Sequence, residues 1–289
     1  MSAGLCAWGA CPAHAGPPSA RRVNEDGAVN RPLKLDACQD VRVQWDAWHS
    51  AIAGSHAARQ MVTSLLALPL ELDCNSLLPW DGIAEVTDAL RLAPGQVLAD
   101  LGCGRGGYSL EITRRTRARL VGLDLSPVAV TAAHERAGFL GLDGQARFCV
   151  GDYTSPALRS QSVNAVACID AIQFADPPLA ALHQCRRILA AEGRLAVTAW
   201  EPVQPGDPRL PSRVRDMNLA RDLAQAGFGQ IEVAERPSWY QAERALWEAI
   251  ADADDRHDRG LATLRKEATA TLAFFDARRR VLATAAAHH

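Results

Sequence analysis

The chain lacks an excess of charge of either sign. Its 31 Lys and Arg residues are balanced by 33 Asp and Glu residues, which leaves 289 residues with a formal net charge of -2. Proteins that hold nucleic acid carry clustered basic charge to neutralise phosphates, so this balance predicts no nucleic-acid partner. The sequence also lacks any uninterrupted apolar run near the roughly 18 residues that indicate a membrane span, and we expect no membrane partner.

The chain also lacks the cysteine patterns of a metal site. None of its eight cysteines forms a Cys-x-x-Cys pair or a cysteine–histidine cluster with zinc spacing. Several lie within predicted strands, where a free thiol behaves as a small apolar side chain. The first 30 residues lack the basic start and continuous apolar segment of a signal peptide. We therefore expect no metal and a reducing, cytoplasmic location.

What the chain does contain is a glycine-rich stretch at residues 96–124, QVLADLGCGRGGYSLEITRRTRARLVGLD. It reads as a short buried strand, a turn rich in glycine, a helix and a second buried strand that ends on Asp124. Glycines let a ligand approach the backbone closely, and the helix N-terminus behind them favours an anionic group. A carboxylate at the end of the second strand can accept both hydroxyls of a ribose. The unit predicts a site for a nucleoside-containing ligand.

Two kinds of nucleoside fit the glycines. The spacing Gly102-x-Gly104-x-x-Gly107 satisfies the dinucleotide fingerprint. Asp100, however, lies two residues before the first glycine, where its carboxylate would repel a pyrophosphate and attract the ammonium group of S-adenosylmethionine. This favours S-adenosylmethionine and leaves a nicotinamide-dependent oxidoreductase as an alternative.

The stretch D-L-G-C-G-R-G-G at residues 100–107 resembles the first motif of class I S-adenosylmethionine-dependent methyltransferases. The resemblance continues to the final predicted strand. It implies an α/β fold with a doubly wound, seven-stranded Rossmann-like sheet whose last strand is antiparallel. It also implies S-adenosyl-L-methionine as cofactor, with these cofactor-binding residues: Asp100, Gly102, Cys103, Gly104, Gly106, Asp124, Leu125, Gly151, Asp152, Tyr153 and Asp170.

Two of these aspartates have alternative interpretations. In the family, the Gly-Asp pair after the third strand lies beside the adenine, which would place Asp152 there; a structural turn is the weaker alternative. Asp170 follows the fourth strand, at the crevice where a methyl acceptor must arrive. It is our first candidate for a general base, with His49 and His56 as distant seconds, although it could instead cap a turn or bind the methionine backbone. The expected acceptor-binding residues are Gln173, Phe174, Trp200, Trp239 and Tyr240.

The pattern outside the motif predicts three parts. Residues 1–40 are expected to be a flexible tail, residues 41–92 a helical cover, and residues 93–289 the cofactor-binding domain. A helical insertion at about residues 237–277, between strands six and seven, is expected to act as a lid. With the cover it would close a largely apolar acceptor pocket.

The resemblance is to the small-molecule branch that tailors secondary metabolites and quinones. The position after strand four holds Asp170-Ala-Ile-Gln173 rather than an Asn-Pro-Pro-Tyr motif, which argues against the DNA adenine and protein glutamine branches. We therefore expect in-line methyl transfer to a small natural-product-type molecule by a monomer or homodimer. A second alternative is a protein that keeps the cofactor but catalyses another reaction, such as a cyclisation.

Overall fold

One seven-stranded sheet forms the centre of the molecule. The computed structural model describes residues 35–72, 74 and 76–288. The tail expected over residues 1–40 lies outside the described residues up to residue 34. The strands, in chain order, are β1 (Val97–Leu101), β2 (Arg119–Asp124), β3 (Ala146–Val150), β4 (Val163–Ile169), β5 (Leu189–Pro202), β6 (Gly229–Glu235) and β7 (Arg278–Ala286).

The order of the strands across the sheet is β3-β2-β1-β4-β5-β7-β6. Neighbouring strands among β1 to β5 are parallel, whereas β7 runs antiparallel to both β5 and β6. This confirms the predicted seven-stranded sheet with an antiparallel last strand. The order reverses between β1 and β4, and in such sheets the carboxyl ends of the strands at the reversal form a ligand crevice.

One of the helices that cover the two faces of the sheet begins at the cap that the sequence predicts. Ser126 accepts a hydrogen bond from the backbone N–H of Ala129 at 3.2 Å, and Pro127 is the first residue of the following helix, as predicted. The flanking helices are α4 (Gly107–Thr116), α5 (Pro127–Phe139), α6 (Pro178–Ile188), α7 (Ser212–Arg215) and α8 (Leu219–Gln225). Within the described ranges, no helix is both long and apolar enough to cross a bilayer.

Five further helices complete the described part of the fold. Three precede the sheet, namely α1 (Leu35–Ala53), α2 (His56–Leu65) and α3 (Trp80–Leu90). Two more, α9 (Pro237–Asp252) and α10 (Arg259–Leu272), are inserted between β6 and β7, where the insertion was expected. Four of them, α1, α2, α9 and α10, lie over the crevice, whereas α3 packs on α4, β4 and β5. Helix α1 packs on α10, and α2 packs on α9. The division into a cover and a lid stays a prediction, but the two sets of helices are in contact.

A shared cap connects the two sets. The hydroxyl of Ser55 caps α2 by accepting from the N–H of Ala58 at 2.9 Å, and it donates to Asp258 at 2.7 Å. Asp258 in turn caps α10 by accepting from the N–H of Leu261 at 2.9 Å. At Gly260 an added Cβ atom would lie 2.5 Å from the Ser55 Cβ atom, so the helices meet at a distance that only glycine allows.

The cysteines in the sheet differ from one another. Cys168 in β4 is a free thiol within the apolar core, as expected, and Cys185 in the adjacent helix α6 is a second one. Cys149 in β3 is disulfide-bonded, so the expectation of a free thiol is wrong at that position. The physical reason is its place: β3 is an edge strand, and Cys149 is only half-buried there, so its thiol is not enclosed in the core.

A buried network of charged side chains connects the end of β4 with β7 and α9. Arg280 donates two hydrogen bonds to Asp170, at 2.7 and 3.1 Å, and its Nε lies 3.4 Å from Glu243. Arg278 donates to the same Glu243 carboxylate at 2.5 Å. All four residues are buried. Because each charge has an opposite partner, the network holds three elements together without leaving a buried charge unpaired.

We expect Arg280→Met to destabilise the fold by about 3–5 kcal/mol, because the change leaves Asp170 buried without its counter-ion. Denaturant unfolding followed by circular dichroism measures this. The control is Arg244→Met, which removes an exposed ion pair with Glu248 on the same insertion and should have little effect. Equal losses in the two variants would show that the buried network does not stabilise the protein.

Candidate active site

A large cavity opens at the carboxyl ends of the strands, where the strand order reverses. The ends of β1, β2 and β4 contribute Asp100, Asp124 and Asp170 to its wall, and α1, α2, α9 and α10 close the opposite side. The cavity therefore has two ends. One is formed by loops of the sheet and the other by the helices α1, α2, α9 and α10.

Three glycines of the turn after β1 have positive φ angles, but only one faces open space. A Cβ atom on Gly102 (φ +79°) would lie 2.4 Å from the Ala171 Cβ atom, and one on Gly106 (φ +76°) would lie 3.0 Å from a ring carbon of Phe148. A Cβ atom on Gly104 (φ +51°) would meet only a carbon of His49 at 3.9 Å. Gly102 and Gly106 are thus required by packing, whereas Gly104 leaves the backbone open to a ligand.

Asp100 is a buried carboxylate with an incomplete set of partners. The residue is 3% exposed and lines the cavity, and its Oδ1 atom has no hydrogen-bond partner among the described residues. Burial raises the pKa of Asp100 to about 7; the Ser109 hydroxyl offsets part of this, and the nearby Asp124 charge adds to it. A buried oxygen of this kind fits a cationic ligand, which would supply the missing partner and favour the ionised carboxylate.

Asp124 shapes the glycine turn and still faces the cavity. Its Oδ2 atom accepts from the N–H of Gly104 at 2.8 Å, and its Oδ1 atom accepts from the N–H of Ser126 at 2.9 Å. Each carboxylate oxygen has a second lone pair for a ligand hydroxyl. Asp124 and Leu125 both line the cavity, so the carboxylate can accept from two neighbouring hydroxyls while holding the turn in place. Cys103, a free thiol, lines the same wall.

In the Gly151-Asp152-Tyr153 segment, one residue stabilises a turn and another lines the cavity. Asp152 accepts from both the N–H and the hydroxyl of Thr154 at 2.7 Å, which is a structural turn. Gly151 and Asp152 are not among the residues that line the cavity, whereas Tyr153 is. The Tyr153 hydroxyl donates to the carbonyl of Ala171 at 2.9 Å. Contact of Asp152 with a ligand stays a prediction.

Asp170 is already fully engaged by the protein. Besides the two bonds from Arg280, it accepts from the Ser76 hydroxyl at 2.5 Å, the N–H of Leu77 at 3.0 Å and the Thr198 hydroxyl at 2.6 Å. Burial alone would raise the pKa of Asp170, but the Arg280 charge and these hydrogen bonds outweigh it, and the pKa is lowered. A carboxylate so paired is a poor proton acceptor. The geometry argues against our first candidate for a general base and favours a positioning role.

The expected acceptor-binding residues separate into two groups. Phe174 and Trp200 line the cavity. Gln173 does not; it is buried, and its side-chain N–H donates to the carbonyl of Asp170 at 2.6 Å.

Trp239 and Tyr240 also lie outside the cavity, contrary to expectation. Trp239 is fully buried against Gly82 of α3, and Tyr240 packs on Phe275 with ring centroids 4.6 Å apart. Both residues lie in the first turn of α9, whereas the part of α9 that reaches the cavity is the later Leu246–Ile250 segment. The helical spacing of apolar residues in α9 identified its buried face, but it could not show which turn of the helix lines the cavity.

The two candidate histidines differ in burial and in their position relative to the cavity. His49 is buried, lines the cavity and lies beside the rings of Trp45 and Trp48, at centroid distances of 6.2 and 5.2 Å. His56 is exposed at the first position of α2 and is not among the lining residues. Among the described residues there is no cluster of three or more His, Cys, Asp or Glu side chains that could hold a metal ion.

Several lining residues were not identified from the sequence. The insertion contributes Leu246, Trp247, Ile250, Leu264 and Glu267. The buried Glu243 carboxylate accepts from the indole N–H groups of Trp200 (2.8 Å) and Trp247 (3.1 Å), which fixes two rings of the wall. The apolar spacing of α9 and α10 was a signal for the leucines and Trp247. No local pattern indicated Glu243 or Glu267.

Comparisons with known proteins find methyltransferases. Residues 99–197 match a family described as methyltransferase domain. A sterol 24-C-methyltransferase from Gibberella zeae is 30% identical over 137 residues, which are 46% of this chain and 36% of that protein. The chain spans half or less of the length of the curated relatives it matches first.

Solved structures share the fold at lower identity. The [4+2]-cyclase SpnF superposes with a TM-score of 0.68 at 19% identity, over 87% of this chain and 97% of that chain. Geranyl diphosphate C-methyltransferase from Streptomyces coelicolor A3(2) gives a TM-score of 0.63 at 18% identity, over 86% and 97%. The glycine motif, the strand order and the family match agree: residues 99–197 match a methyltransferase domain, and the sheet has the Rossmann-like fold of class I S-adenosylmethionine-dependent methyltransferases.

Proposed function

We propose that the protein transfers the methyl group of S-adenosylmethionine to a small, largely apolar molecule. The observation that carries this proposal is the arrangement of Asp100 and Asp124 on either side of the Gly104 turn. Asp100 offers a buried, unpartnered carboxylate oxygen for the ammonium group. Asp124, with Gly104 beside it, offers two acceptor oxygens for the ribose hydroxyls. A dinucleotide would bring its pyrophosphate toward the Asp100 carboxylate, which disfavours the nicotinamide alternative.

Methyl transfer mainly requires that the donor and the acceptor are aligned. S-adenosylmethionine supplies an activated methyl group on a sulfonium. Holding the donor and the acceptor in line is worth about 7–11 kcal/mol of barrier, and the cover and lid would exclude water. Asp170 would contribute by position, because it holds Ser76 and Leu77 of the segment before α3, which also line the cavity. Tyr108 strengthens this contact by donating to the carbonyl of Leu78 at 2.7 Å.

The helical end of the cavity favours an apolar acceptor. Its wall includes Trp45 and Trp48 of α1 together with Leu246, Trp247 and Ile250 of α9. The names of the relatives support this class: one methylates a sterol and one a geranyl diphosphate. Secondary metabolism, a cytoplasmic location and a monomeric or homodimeric state are parts of the same proposal.

A second candidate is a cyclisation with retained cofactor. It is favoured by the similarity in fold to a [4+2]-cyclase. The two candidates differ in the fate of the donor. A methyltransferase converts S-adenosylmethionine to S-adenosylhomocysteine in step with methylated product, whereas a cyclase leaves it unchanged.

We expect titration calorimetry to show micromolar binding of S-adenosylmethionine and no binding of NAD. Asp124→Ala should weaken the first by roughly 10- to 150-fold, since a hydrogen bond to a charged group contributes about 1.5–3 kcal/mol. Asp143→Ala, an exposed change in the turn before β3 that is outside the cavity wall, should bind as tightly as the wild type. Binding of NAD alone would refute the proposed function.

Asp100 should give S-adenosylmethionine binding a pH dependence. The ammonium pairs with the ionised carboxylate, and with a pKa of about 7 that form is lost as the pH falls. Affinity should therefore decrease about tenfold per pH unit below pH 7 and level off above it. Calorimetry at several pH values measures the slope.

Adenosine, which has no ammonium group, should bind with no such slope. Asp100→Asn should bind S-adenosylmethionine weakly at every pH. A slope that persists in Asp100→Asn would assign the titration to another group and contradict the placement of the ammonium.

A further inference from the structure

Glu267 is the one carboxylate among the described lining residues that the cofactor assignment does not use. The other three, Asp100, Asp124 and Asp170, stand at the ends of β1, β2 and β4. Glu267 instead belongs to α10, on the helical side of the cavity, three residues after the lining residue Leu264. It therefore faces the region where an acceptor has to lie.

The Glu267 carboxylate has spare hydrogen-bonding capacity. In the described part of the chain it accepts one hydrogen bond, from the indole N–H of Trp48 to Oε2 at 3.3 Å. Its Oε1 atom is thus available to a ligand. The neighbouring carboxylate Glu243 differs, since two indoles and two arginines surround it.

Glu267 lies beside the indole of Trp48 in the cavity wall. The residue keeps an exposed surface at the open cavity, yet it stands in a concave wall where protein replaces much of the surrounding water. This desolvation raises its pKa; the Trp48 hydrogen bond and the more distant charges of Arg213 and Arg278 offset only part of the shift. A negative charge held in such a wall is complemented by a cation, and aromatic rings such as those of Trp45 and Trp48 also favour a cation.

The cavity wall also includes a cation, Arg59 of α2. Its guanidinium donates to the carbonyl of Ala53 at the end of α1, at 3.4 Å. The described hydrogen bond of Glu267 comes from Trp48 instead.

We propose that Glu267 receives the amino group of the methyl acceptor, which is then a primary or secondary amine on an apolar body. This rests on the proposed methyl transfer. The amine arrives as an ammonium ion paired with Glu267 and gives one proton to the carboxylate. The nitrogen lone pair then attacks the methyl carbon, the carbon–sulfur bond breaks, and its electron pair stays on sulfur.

The charges balance through this step. The positive charge of the sulfonium disappears, and the new N–CH₃ bond leaves a positive charge on nitrogen. Glu267 returns its proton to solvent and, as a carboxylate, pairs with the methylated ammonium. The carboxylate is thus both the counter-ion of the acceptor and its proton acceptor, which makes Glu267 a candidate catalytic residue in place of Asp170.

The test compares three probes of one shape on protein loaded with S-adenosylhomocysteine: 4-phenylbutylamine, 4-phenylbutanol and 4-phenylbutanoate. Calorimetry should show the amine binding at least about tenfold more tightly than the alcohol, and the carboxylate binding most weakly. In Glu267→Gln the preference for the amine should disappear while the affinity for S-adenosylhomocysteine is unchanged.

The matched control is Glu248→Gln, which removes a carboxylate from the exposed side of α9, outside the cavity wall, and should keep the preference. Equal binding of amine and alcohol by the wild type, tighter binding of the carboxylate, or a preference that survives in Glu267→Gln would overturn the proposal. Failure of S-adenosylhomocysteine to bind the wild type would instead overturn the proposed function, so the two failures are distinguishable.

Discussion

The buried ion pair between Asp170 and Arg280 is the interaction on which both ends of the cavity depend. Two charges taken out of water are stable only when each has a well-placed opposite partner and its remaining hydrogen-bonding groups are satisfied. Asp170 meets this condition through Arg280, Ser76, Leu77 and Thr198. The pair therefore fixes the end of β4 and the segment before α3 at the cofactor end of the cavity.

The same arginine extends this constraint to the helical end of the cavity, where we propose that the acceptor binds. Arg280 also lies beside Glu243, whose carboxylate holds the indoles of Trp200 and Trp247. Its guanidinium stacks on the Trp200 ring at 4.3 Å. One network of buried charges thus positions aromatic rings on the strand β5 and on the inserted helix α9. The sheet therefore determines the shape of this part of the cavity wall as much as the inserted helices do.

The sequence predicts the parts of the protein that are local. A strand, a glycine turn, a helix and a second strand are adjacent in the chain, so Asp100, Gly104 and Asp124 could be assigned together and the sheet followed from their family resemblance. The environment of Asp170 could not, because its counter-ion Arg280 is 110 residues away. Helical periodicity likewise showed that Trp239 is buried but not which structure covers it.

This difference between the two ends also explains the pattern of similarity. The family match at residues 99–197 covers the strands and loops of the cofactor end, whereas α1, α2, α9 and α10 lie outside it. The acceptor end is assembled from distant helices, so its chemistry has to be read from side chains such as Glu267 in the folded protein.

The shared cap of Ser55 and Asp258 has a consequence for how ligands exchange. Separating α2 from α10 would break the hydrogen bond between the two capping side chains and open the close contact at Gly260. Each cap satisfies backbone N–H groups that would otherwise lack partners. The helices α1, α2, α9 and α10 are therefore expected to move as one rigid body. A single rate of opening would then govern the release of both products.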